Sequence, residues 1–159
     1  MGNQAEILTA LKAAVDGVAN IGKTYSRQRY VADWANYLTL FKATIGGTDQ
    51  IRGWMLMPDE ANAIVGERDQ FSGILRTYNV LIVGFLGLDD SADTEGTLAA
   101  LCEGVIDAID ALSAPSGVTG AVGFGCGPCT VKSFQVRQFG SVLCNYAEIS
   151  VPVQVTKAI

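Results

Sequence analysis

Four cysteines, sixteen carboxylates and no histidine set the chemistry open to this 159-residue chain. Cys126 and Cys129 enclose Gly127 and Pro128, a Cys-x-x-Cys pair able to cycle between dithiol and disulfide or to give two thiolates to zinc. Cys102 and Cys144 are the remaining thiols that a four-thiolate site would need. Asp89, Asp90, Asp93 and Glu95 crowd one turn, as oxygen ligands of Ca²⁺ or Mg²⁺ do. The missing histidine removes Ser-His-Asp and Cys-His catalysis and every His-ligated metal site.

Each of these groups depends on the element that carries it. CGPC is letter for letter the active-site motif of thioredoxins, whose reactive thiolate sits at a helix N-terminus directly after a buried strand. Here the Gly-rich stretch SAPSGVTGAVGFGCGP precedes it, read as a flexible loop over residues 113–128. TVKSFQV follows, alternating as a strand does where a helix is required. The expected role is therefore a turn that holds the loop, with Cys126 and Cys129 as the redox or disulfide pair if any thiols oxidise. Cys102 falls on the apolar stripe of a helix and Cys144 within a strand, which reads as core packing rather than zinc ligation. The acidic cluster lacks the alternating ligands and glycine of an EF-hand, and an N-cap at Ser91 or Asp93 accounts for it. No catalytic residue, metal or cofactor is expected.

The chain is organised around residues 71–112. From Ile74 to Leu88 the residues suit a strand, apolar on both faces between Val80 and Leu86 apart from Gly84, as in a central strand covered on both sides. After the acidic turn Leu98, Leu101, Cys102, Val105, Ile106 and Ile109 make one helical stripe, while Glu103, Asp107 and Asp110 point elsewhere. Residues 4–19 predict a first amphipathic helix through Ile7, Leu8, Leu11, Val15 and Val18. Lys23 to Asp33 reads as a connector or surface arm. Alternation from Trp34 through Tyr37, Phe41 and Ile45 predicts a strand, turning at Gly46-Gly47-Thr48-Asp49 into a partner over Ile51 to Met57. Residues 61–70 fit either a helical turn or a hairpin tip. Two last strands, Thr130 to Arg137 and Val142 to Val155, flank a turn at Gln138-Phe139-Gly140-Ser141, and Pro152 argues that the final strand lies at an edge or bulges. The prediction is one α+β domain over residues 1–159: an antiparallel sheet with a long hairpin, packed against two amphipathic helices.

Composition narrows the function classes. The net charge is −5 and no Lys/Arg run occurs, which disfavours an electrostatic grip on DNA or an anionic membrane. The opening MGNQAEILTALKAAV has neither the basic n-region nor the unbroken apolar run of a signal peptide, so a soluble, cytosolic protein without membrane contact is expected. Three classes remain: an assembly protein, a thiol oxidoreductase, and a small binding module.

The element order, with the text RTYNVLIVGFLGLDDSADTEGTLAALCEGVIDAI, resembles the tail-terminator (tail-completion) proteins of long-tailed bacteriophages. That family often shows an Arg-aromatic-apolar strand, a Gly-containing end and an acidic turn before an amphipathic helix, matched here by Arg76, Tyr78, Ile82, Gly84 and Asp89 to Glu95. The resemblance implies an α+β subunit of a hexameric homo-oligomeric ring in the virion, assembled in the host cytoplasm. Such a ring caps the tail tube, stops its polymerisation, and joins it to the head-side connector or neck protein. A neck or head-completion subunit is the alternative. The expected subunit interface is the predicted hairpin with Trp54, Met55 and Met57, together with Arg27 and Arg29 facing an acidic surface on a neighbouring copy. Glu103, Asp107 and Asp110 are the expected acidic face of a lumen through which DNA passes without specific binding.

Overall fold

In a computed structural model the chain builds a curled, mostly antiparallel sheet with helices on both of its faces, an α+β fold. The structure describes residues 3–29, 33–69, 73–112 and 121–157. In chain order the elements are α1 (Asn3–Asp16), β1 (Lys23–Tyr25), α2 (Trp34–Leu40), β2 (Lys42–Ile45), β3 (Thr48–Pro58), β4 (Ile64–Asp69), β5 (Gly73–Gly87), α3 (Thr94–Asp110), β6 (Ala121–Cys126), β7 (Thr130–Phe139) and β8 (Val142–Lys157). The long strands β5 and β8 pair antiparallel from Ile74↔Lys157 to Gly87↔Cys144 and form the spine. β3 and then β4 line the outer side of β5, while β7 and β6 line the outer side of β8.

Alternation along the spine sorts side chains between two cores. Tyr78, Val80, Ile82 and Leu86 of β5, with Ala147, Ile149, Val151, Val153 and Val155 of β8, meet the apolar stripes of α1 (Ile7, Leu11, Val15) and α3 (Leu98, Leu101, Cys102, Val105, Ile109). The opposite residues Val83, Phe85, Cys144 and Tyr146 join Met55, Met57 and Phe41 in a second core. Here a row of rings runs from Tyr25 to Phe41, Phe85, Phe139 and Tyr146, with successive centroids 5.5, 4.6, 5.1 and 6.2 Å apart. Two glycines make room for the largest rings. Gly84 stands opposite Trp54 and Gly53 opposite Phe85, and a Cβ on either would collide with aromatic carbon.

Several expectations need correction. Residues 34–40 are helical, because Asp33 caps the segment through its bond from the Asn36 N–H (2.9 Å) and Tyr37 and Leu40 pack against the second core. The strand begins only at Lys42, and the hairpin to β3 turns at Gly46 and Gly47, both at positive φ. The connector after α1 contains β1, which runs parallel to β3. The undecided stretch 61–70 includes β4, an arm of a hairpin with β5. The Gly-rich loop expected over 113–128 gives way to a strand at 121–126, β6; residues 113–120 lie outside the described residues. Two amphipathic helices are joined by a third, α2. Among the described residues no helix is long and apolar enough to cross a membrane.

Candidate functional site

The CGPC turn links β6 to β7 beside the last residue of α3. The Cys129 thiol donates to Asp110 Oδ1 at 3.7 Å, and the Gly127 N–H donates to Pro152 O at 2.9 Å. Gly127 has φ +85°, and a Cβ there would lie 3.0 Å from the Asp110 carboxylate, so glycine fits where a side chain would not. Burial first, then the negative charge of Asp110, pushes Cys126 up to about 11 and Cys129 up to about 12. The thiols also sit at a helix C-terminus, whose dipole opposes a thiolate as much as an N-terminus would favour it. A strand follows the motif, as the sequence predicts. All four cysteines are free thiols. Cys102 belongs to the helix-side core and Cys144 to the other, each pushed up to about 11 by burial.

The acidic turn is held by its own hydrogen bonds. Asp89 accepts from the Ser91 hydroxyl at 2.7 Å, and this bond, foremost, lowers its pKa. Asp93 caps α3 through the Gly96 N–H at 3.1 Å. Thr94 is the hub, its hydroxyl accepting from Asp89 N–H at 2.9 Å and from the buried Asn145 amide at 2.7 Å. Among the described residues no group of three or more His, Cys, Asp or Glu side chains is placed to hold a metal ion.

The expected interface residues divide. Trp54 is 1% exposed and its indole N–H donates to Ile21 O at 3.0 Å, while Met55 and Met57 are 5% and 9% exposed. They are core, because α1 and α3 cover one side of β3 and the aromatic row covers the other; this part of the expected interface is corrected. Arg27 is exposed, and Arg29 lies over the Tyr25 ring at 4.6 Å. Glu103, Asp107 and Asp110 all face outward from α3, although Asp110 is turned to the CGPC loop.

What the sequence reading missed is the border of the sheet. β7 has a hydrogen-bonded neighbour on one side only and is exposed along most of its length, with Val131, Phe134 and Val136 in solvent. Leu143 and Leu88 extend this apolar strip. At the other border β4 exposes Ile64 and Val65. Val136 at 53% and Ile64 at 51% are the most exposed large hydrophobics described. The alternation of TVKSFQVRQF does signal a strand, but whether its apolar residues are covered depends on sheet order, which no local pattern gives.

Two hollows lie on the described surface. One of about 510 Å³ opens on the second core between Met57, Leu81 and Tyr146, rimmed by Lys132–Asp59 and Arg137–Glu148 pairs, each 3.8 Å. Arg137 stacks over Tyr146 at 4.0 Å, and burial with the bond to Glu148 raises the Tyr146 pKa. The other, about 580 Å³, lies between β3 and the start of α3. Arg52 lines it, held by Gln50 Oε1 (3.0 Å) and Asn20 O (2.8 Å), its pKa lowered by burial. Neither hollow gathers a nucleophile with a base. Comparison with known protein families gives no match, and comparison with curated proteins gives no matching relative.

Proposed function

We propose that this chain is a structural subunit that assembles with copies of itself into a ring at the head-proximal end of a bacteriophage tail tube, ending tube growth and offering a docking surface to the head-side connector. The observation that carries the reading is that two edge strands of the sheet, β7 and β4, hold large apolar residues in solvent. Such edges template aggregation in a protein that works alone, and proteins that keep them use them for pairing. The phage assignment rests on the resemblance of the strand, acidic turn and helix around Arg76 to Glu95. The thiol reading has less support, since Asp110 and the C-terminal end of α3 both oppose a Cys129 thiolate. In the ring, Glu103 and Asp107 on the exposed face of α3 would repel phosphates and let DNA pass.

Gold labelling of this chain in purified virions tests the assignment. Label is expected at the junction of tail and head; label along the tube, on the capsid, or nowhere on the particle would reject it.

A further inference from the structure

Two of the sheet's edge strands, β7 and β4, differ in charge and in direction, and together they specify how copies would meet. The stretch 59–69, DEANAIVGERD, carries Asp59, Glu60, Glu67 and Asp69 against Arg68 alone, whereas β7 carries Lys132 and Arg137 and no carboxylate. Lys132 and Arg137 have half-exposed side chains (47% each), and their partners within the chain, Asp59 and Glu148, are no closer than 3.8 Å. We infer that β7 of one copy adds in head-to-tail fashion to β4 of the next, so that the sheet continues from subunit to subunit. This inference rests on the ring reading and names the strands that would build the ring.

Direction supports this pairing. β4 runs antiparallel to β5, β5 to β8, and β8 to β7, so β7 has the direction of β5 and β4 the opposite one. Where the sheet continues into a neighbouring copy, the β4 of that copy therefore meets β7 antiparallel, the more favourable ladder. The edges lie on opposite borders of the sheet, so the contact is heterologous and leaves one β7 and one β4 free for the next copy, which is what a ring needs. β7 borders residues 142–150 of β8, whereas β4 borders residues 73–78 of β5, so the pairing is staggered along the strands. Such a stagger tilts strands against the axis, as closure of a barrel does. The alternative isologous contact, β7 on β7, would set Lys132 and Arg137 of both copies against each other, with no carboxylate on either strand. A β4-to-β4 contact would bring two acidic stretches together.

Two double variants at exposed positions test the inference: Phe134→Lys/Val136→Lys on β7 and Ile64→Lys/Val65→Lys on β4, with circular dichroism to verify folding and sedimentation to read mass. The wild-type chain is expected to form oligomers at high concentration, and each variant alone to sediment as a single copy. A 1:1 mixture should form two-copy complexes, because each variant keeps the edge that the other has lost. Loss of assembly in the β7 variant alone would mean an isologous β7 contact, and loss in the β4 variant alone an isologous β4 contact; either overturns the inference. Wild-type assembly in both variants would also overturn it while leaving the ring reading in place. A wild-type chain that remains a single copy at every concentration would overturn both.

Discussion

Asn79 stands directly opposite Pro152 across the β5–β8 ladder, and the backbones of both turn away from each other. The Asn79 N–H donates to Ala63 O at 3.0 Å and its carbonyl accepts from Asp59 N–H at 2.9 Å, while the Pro152 carbonyl accepts from Gly127 N–H. At this level β3 gives way to β4 on one side, and β6 gives way to β7 on the other. A proline thus sits inside a long interior strand at a place where its missing N–H would point into the CGPC loop rather than into a ladder. The CGPC turn is the structural counterpart of the 59–63 loop: each interrupts the strand that flanks the spine.

Pro152→Ala is accordingly expected to change stability by no more than about 1 kcal/mol, the range of an unfolded-state entropy effect. Urea denaturation reads this directly. A loss several times larger would mean that the ring of Pro152 has a packing role absent from this account.

Gly84→Val should be far more costly. Its side chain would enter the space of the Trp54 indole in a filled core, and overpacking of this kind costs typically about 1–3 kcal/mol. Gly66→Val, on the exposed β4 where an added Cβ meets nothing, is the control and should be close to neutral. Equal losses in the two variants would contradict the packing described.

Thr94→Val removes the hydroxyl shared by Asp89 N–H and the Asn145 amide. Asn145 is 2% exposed, so its amide would be left buried without that partner, at a cost of about 1–3 kcal/mol. A melting temperature unchanged from wild type would show that the turn is held by Asp93 and Asp89 alone.

The thiols give two pH-dependent outcomes. All four cysteines have folded-state pKa values raised to about 11 or 12, above the value of a free thiol in the unfolded chain. The folded state therefore holds these protons more tightly. Their contribution is fully present below the unfolded pKa and is lost as pH rises through the folded values, so stability should fall from about pH 9 towards pH 12. Asp110→Asn removes the charge that opposes the Cys129 thiolate, and disulfide-reagent labelling of Cys129 at pH 8 should become faster than in wild type. Rapid labelling of the wild-type pair at that pH would reopen the redox reading.

Where one apolar face or a cap determines the outcome locally, the sequence is sufficient. The α3 stripe, the doubly buried β5 and the Gly46-Gly47 turn are read correctly, and the cap of α3 is narrowed to Ser91 or Asp93, because periodicity and turn chemistry act within a few residues. Residues 34–40 defeat that approach: WANYLTL alternates passably, but Asp33 as cap and the aromatic surface around Phe41 favour a helix. Met57 reads as core or interface packing and Trp54 as interface, and only the packing of both sheet faces decides for core. Phe134 and Val136 fall in a strand that the sequence predicts, but its place at the border is set by pairings far apart in the chain. Sequence locates the candidate assembly surface only as far as tertiary order is encoded locally, which at the sheet edges it is not.

The most direct measurement of the central claim is the length of tail tubes, by electron microscopy, in particles assembled without this chain beside a wild-type preparation. The account predicts overlong tubes that carry no heads. Tubes of normal length joined to heads would contradict it.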